Sequence, residues 1–102
     1  MDKEHMDKLR TVADRYGFDK QIIVLFEEMS ELQKAVCKYS RTRSGSGGNP
    51  SIQKHDIAEE MADVEIMVYQ IMYLIGISPE RVDEIIGQKL HRQLMMMKGA
   101  EQ

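Results

Sequence analysis

Residues 21–39 read QIIVLFEEMSELQKAVCKY. Apolar side chains recur there at three- and four-residue steps: Ile22, Leu25, Met29, Leu32, Val36 and Tyr39. That period predicts an amphipathic helix, and no strand-like alternation competes with it. The same period extends outward in both directions. Upstream, Met6, Leu9, Val12, Ala13 and Tyr16 form a stripe ended by Gly17. Downstream, Ile57, Met61, Val64, Val68, Ile71 and Ile75 form another, ended by Gly76. Ser78-Pro79-Glu80 then starts a fourth helix, with a hydroxyl N-cap, proline at the first helical position and an acid in the first turn. Its stripe is Val82, Ile85, Ile86, Leu90, Leu94 and Met97. The expected fold is all-α, a four-helix bundle-like single domain over residues 1–102. A flexible connection is expected at about 42–52, where TRSGSGGNPSI concentrates glycine and serine. Those glycines are not followed by a Lys-Ser/Thr pair and make no phosphate-binding fingerprint.

Composition narrows the class. Of 102 residues, 42% are hydrophobic and 30% charged, too apolar for a disordered chain. The lone Cys37 excludes a disulfide scaffold and a multi-cysteine zinc module, and suits a reducing, cytoplasmic compartment. The longest apolar candidate, Val64 to Ile77, is interrupted by Glu65 and Gln70, so no membrane partner is expected. A net charge of −3 argues against a nucleic-acid polymer as partner. Four helices in so short a chain leave a thin core, which predicts a homo-oligomer, a dimer or tetramer.

The acids carry the chemistry. Six of the 17 fall in two short clusters: Glu27, Glu28 and Glu31, then Glu59, Glu60 and Asp63. With about 100° per residue, Glu31 lies about 60° to one side of Glu28, and Leu25, Met29, Leu32 and Val36 lie to the other. Glu60 and Asp63 stand in the same relation to Ile57, Met61, Val64 and Val68. Each helix therefore carries an acid pair at i and i+3 on the same side of its core stripe. Packed as neighbours, the pairs Glu28/Glu31 and Glu60/Asp63 converge. Carboxylates bordering a core repel unless a cation joins them. Mg²⁺, a hard cation with oxygen ligands, is the expected partner, and Mn²⁺ suits the same ligands. A single acid cluster on a helix is ordinarily a solvated face. Two matching pairs on adjacent helices favour a shared site instead.

These residues resemble a known family. Glu27-Glu28-Met29-Ser30-Glu31 followed by Glu60-Met61-Ala62-Asp63 is similar to the EExxE and ExxD motif of MazG-like, all-α nucleoside triphosphate pyrophosphohydrolases, especially the small phage- and prophage-type members. The likeness covers roughly Leu9 to Leu94. It implies Mg²⁺-dependent hydrolysis of a nucleoside triphosphate to the monophosphate and pyrophosphate. Carried over by position, Glu28, Glu31, Glu60 and Asp63 become metal ligands, and Glu27 orients or deprotonates the attacking water or holds a further metal. Glu59 has no role in the motif.

The last helix adds Lys89, set among Val82, Ile85 and Leu90, and Arg92 further along the same flank. A lysine on an apolar stripe either snorkels or meets an anion, so both cations are candidates for substrate phosphate and transition-state charge. Arg41 and Arg43 flank the loop and could touch phosphates when it closes, but a solvated role is the simpler one for them. His55 and His91 belong to no Glu-x-x-His, which counts against a di-iron or di-manganese carboxylate bundle. The remaining alternative is a non-catalytic helical regulatory module retaining an acidic metal site.

Overall fold

The computed structural model describes residues 1–101. It contains four helices, in order α1 (Lys3–Tyr16), α2 (Phe18–Arg43), α3 (Pro50–Ile75) and α4 (Pro79–Glu101), and no strand among the described residues.

Local chemistry fixes the ends. Asp2 caps α1, its Oδ1 accepting from the His5 backbone N–H at 2.8 Å. Gly17, at φ 81°, ends α1 and begins α2 without an intervening loop. Asn49 caps α3 by accepting from Ser51 and Ile52, with Pro50 at the first position. Gly76 closes α3 in the left-handed region that glycine adopts without strain. Ser78 caps α4 through the Arg81 N–H at 3.1 Å.

The connection between α2 and α3 is Ser44–Asn49, narrower than the 42–52 expected from composition. It is tied down by side chains: Thr42 Oγ1 donates to Gly47 O at 2.7 Å and Ser46 Oγ to Arg41 O at 2.6 Å.

So short a connection folds α3 back antiparallel along α2. The residues that turn inward follow steps of four and three on both helices. On α2 they are Gln21, Leu25, Glu28, Leu32, Ala35, Tyr39 and Thr42. On α3 they are Gln53, Ile57, Glu60, Val64, Met67, Ile71 and Leu74. This is the seam of an antiparallel coiled coil. The stripes expected from sequence lie one step off it. Met29 and Val36 on α2, and Met61 and Val68 on α3, are exposed, and Glu28 and Glu60 occupy the seam itself. Both helices carry an apolar arc wider than one partner covers, so periodicity alone does not find its centre.

The helix α1 lies on α3 through Leu9 and Ala13, both buried. Tyr73 OH donates to the Asp14 carboxylate at 2.9 and 3.0 Å, and the Arg10 guanidinium stands 5.6 Å from the Tyr73 ring centre. Between α2 and α3, the buried Gln21 Nε2 donates to the buried Gln70 Oε1 at 2.7 Å. The fourth helix behaves differently. It leaves α3 at a bend of 115° and does not pack along α1, α2 or α3. Ile86, Leu90, Leu94 and Met95 to Met97 are exposed along it. The four helices are present as expected, and three of them form the core within this chain. Among the described residues no single helix is long and apolar enough to cross a membrane.

Candidate metal centre

The seam brings the two acid motifs together. Glu28 on α2 with Glu60 and Asp63 on α3 each offer a carboxylate oxygen, all within 4.8 Å of one another. Glu28 and Glu60 are half-buried and Asp63 is exposed, so the cluster opens on one flank of the hairpin.

Burial and like charge both act on it. Burial pushes the Glu28 carboxyl above its ordinary 4.5, and the charges of Asp63, Glu60 and Glu27 and a carboxyl–carboxyl contact with Asp63 push it the same way. Glu60 is raised by burial first, then by Asp63, Glu31, Glu59 and Asp56. Every neighbour that bears on these two groups is an acid. The Oε2 atom of Glu60 is buried and has no hydrogen-bond partner among the described residues. A buried carboxylate oxygen without a partner is costly and calls for an explanation. A hard divalent cation supplies one, because its charge offsets the repulsion and its ligand preference matches an all-oxygen set.

The other expected residues fall around this centre. Glu31 is exposed on the same flank, close enough for its charge to act on Glu60, and its Oε1 lies 3.4 Å from Lys34 Nζ. Glu27 is exposed beside Glu28. Glu59 turns outward and pairs with His55 at 3.0 Å, in keeping with its absence from the motif. Lys89 and Arg92 are exposed on α4, and no charge from that helix reaches Glu28 or Glu60. Within one chain these two cations do not join the cluster. Cys37 is exposed.

Three polar residues of the seam region escape a reading based on apolar periodicity. Gln21, Gln53 and Gln70 are buried, at 4%, 5% and 2% exposure. A glutamine at a three-four step from apolar neighbours, such as Gln21 before Leu25, is the signal that marks them.

A cleft of about 560 Å³ lies between α1 and α3, lined by Leu9, Val12, Ala62 and Ile66 together with His5 and Gln70. None of Glu28, Glu60 and Asp63 lines this cleft. No family model matches this chain, and no curated protein or solved structure was found similar to it.

Proposed function

We propose that this chain is a MazG-like nucleoside triphosphate pyrophosphohydrolase, a hydrolase acting on a phosphoric anhydride. The observation that carries the reading is the seam itself. Glu28 and Glu60 occupy positions that a coiled coil fills with apolar side chains, and one buried oxygen of Glu60 has no partner among the described residues. Carboxylates are tolerated in such places when they have a ligand to hold.

In this reading Glu28, Glu60 and Asp63, with Glu31 beside them, would hold Mg²⁺, and Mn²⁺ would fit the same oxygens. A cation held there would supply charge to offset phosphate oxygens and to acidify water. Glu27, exposed next to Glu28, accepts the proton of the attacking water as general base. The water oxygen forms a bond to the α-phosphorus. The bond from that phosphorus to the α,β-bridging oxygen breaks, its electron pair leaves on pyrophosphate, and the nucleoside monophosphate remains.

The active unit in this reading is a cytoplasmic homo-oligomer. A second copy covers the exposed Met29, Val36, Met61 and Val68 and the unpacked stripe of α4, and such an assembly is how Lys89 and Arg92 come to serve the phosphates. The substrate is a nucleotide, and neither a nucleic-acid polymer nor a membrane is a partner.

A nucleotide panel assayed with Mg²⁺ tests this. Monophosphate and pyrophosphate are the expected products, with label from ¹⁸O-water in the monophosphate. Orthophosphate as the first product would sink the assignment. A second reading, a non-catalytic regulatory module, draws on the separation of Lys89 and Arg92 from the acids in one chain. It predicts Mg²⁺ binding with no turnover of any nucleotide.

A further inference from the structure

The charges of the α2–α3 hairpin are segregated along its length. From Leu32 to His55 the sequence holds Lys34, Lys38, Arg41, Arg43 and Lys54 and not one aspartate or glutamate. The acids resume at once on either side, with Glu31 on α2 and Asp56 on α3. Because the chain folds back at Ser44–Asn49, this stretch is a single end of the hairpin, and the acid cluster stands at its border.

The cations continue the line of the acids. Glu31, Lys34, Lys38 and Arg41 follow one another at steps of three, four and three, so they share one face of α2. Lys38 repeats the position of Glu31 one heptad later, about 10.5 Å along the axis. Lys34 Nζ already lies 3.4 Å from Glu31 Oε1, at the edge of the cluster. Among the described residues Lys38, Arg41, Arg43 and Lys54 form no ion pair with a carboxylate. At the other end of the cluster lies α1, with the largely apolar cleft that includes Leu9, Val12, Ala62 and Ile66. The centre thus has a direction, cationic toward the loop and apolar toward α1.

We infer that a nucleoside triphosphate lies along this direction, with Lys34, Lys38 and Arg41 holding the β- and γ-phosphates and the nucleoside on the α1 side. The inference rests on the pyrophosphohydrolase reading and adds to it the groups that receive the departing pyrophosphate. Negative charge grows on the β-phosphate as the α,β-bridging bond breaks. Fixed ammonium and guanidinium groups stabilise charge where it develops. Arg41 adds a fork that pairs with two phosphate oxygens, whereas Lys38 acts as a point charge on a flexible stem.

The test is direct binding of inorganic pyrophosphate in the presence of Mg²⁺, measured by calorimetry on the full chain. Lys38→Met keeps the stem and removes the charge; it should weaken pyrophosphate at least tenfold. Arg41→Met should weaken it several-fold, and Lys38→Arg should retain most of the affinity. Lys3→Met, a cation on another face, should leave it unchanged. The melting shift caused by Mg²⁺ alone should be the same in all of these variants. Wild-type pyrophosphate affinity in a helical Lys38→Met/Arg41→Met double variant would overturn the inference. So would a larger loss for a single-stranded oligonucleotide than for pyrophosphate, which would mark a nucleic-acid surface. A wild-type chain without turnover or Mg²⁺ response overturns the hydrolase reading itself. One that turns over and responds to Mg²⁺, yet binds pyrophosphate without regard to these cations, overturns only the direction proposed for the substrate.

Discussion

The two flanks of the α2–α3 hairpin share one seam and differ in everything else. On one flank stand the residues one step after Glu28, Ala35, Glu60, Met67 and Leu74: Met29, Val36, Met61, Val68 and Ile75, all exposed and all apolar. On the other stand Glu31, Lys38, Asp56 and Asp63, exposed and charged. An apolar flank left in water costs free energy in proportion to its area and is relieved by another apolar surface. A flank of converging carboxylates is relieved by a cation and by nothing apolar. A single coiled-coil hairpin can therefore pose two separate demands, one for a second copy and one for a metal.

The sharpest way to break this contrast is at the acids. Glu60→Gln keeps shape and removes charge, and turnover should fall by at least the order of 10²-fold that loss of one electrostatic stabiliser brings. Mg²⁺ should raise the melting temperature of the unaltered chain, and that rise should shrink in the variant. Glu28→Gln should do the same. A variant with an undiminished Mg²⁺ response removes that residue from the ligand set.

Next comes the apolar flank. Met61→Glu should drive the proposed oligomer toward the 11.8 kDa monomer, read by light scattering at micromolar concentration. Per-chain Mg²⁺ response should survive, and turnover should fall if Lys89 and Arg92 act across copies. Full activity in a monomer would collapse the distinction between the two demands.

A change of pH separates the flanks without mutation. Burial and then mutual repulsion raise Glu28 and Glu60, so the folded state binds more protons than the unfolded state above their ordinary 4.5. With chelator present, the stability these two groups contribute should be full below that value and should fall as pH rises through the raised folded values. Mg²⁺ should flatten or reverse the slope, and so should Glu28→Gln with Glu60→Gln. A melting temperature that rises with pH in chelator would mean the carboxylates are compensated by something else.

The smallest effect lies beneath both flanks. Gln21→Ala strands the buried Gln70 Oε1 and should cost about 1–3 kcal/mol in denaturant unfolding. Replacing both glutamines with leucine should be closer to neutral, because no orphan remains.

Much of the fold is legible in the order of the amino acids. Gly17, Gly76 and Ser78-Pro79 mark helix ends, since capping chemistry is local and shows in the residues that perform it. The convergence of Glu28, Glu60 and Asp63 is legible because a matched i, i+3 pattern on neighbouring helices leaves few other arrangements. The seam is not. Met29 and Val36 look like core when the apolar arc is read from one helix, and only the neighbour decides that Glu28 and Ala35 face inward. Asn49-Pro50 is a cap and first-position pair as clear as Ser78-Pro79, but the surrounding glycines obscure it. The placement of Lys89 and Arg92 depends on where α4 goes, and a helix whose apolar stripe has no partner in its own chain carries no record of its direction.

The bond between Gln21 and Gln70 has a consequence for how this hairpin can change over generations. It matches one residue of α2 with one residue of α3, while the carboxylates converge a heptad away and the six-residue connection closes the far end. A single inserted or deleted residue within a helix turns everything beyond it by about 100°. Inside α2 or α3, such a change would unmatch either the glutamines from the acids or the acids from the loop. Length variation among descendants of this sequence should therefore gather in Ser44–Asn49 and beyond Ile75, and the span from Gln21 to Arg43 should pass intact from copy to copy, like a ruler that works only uncut.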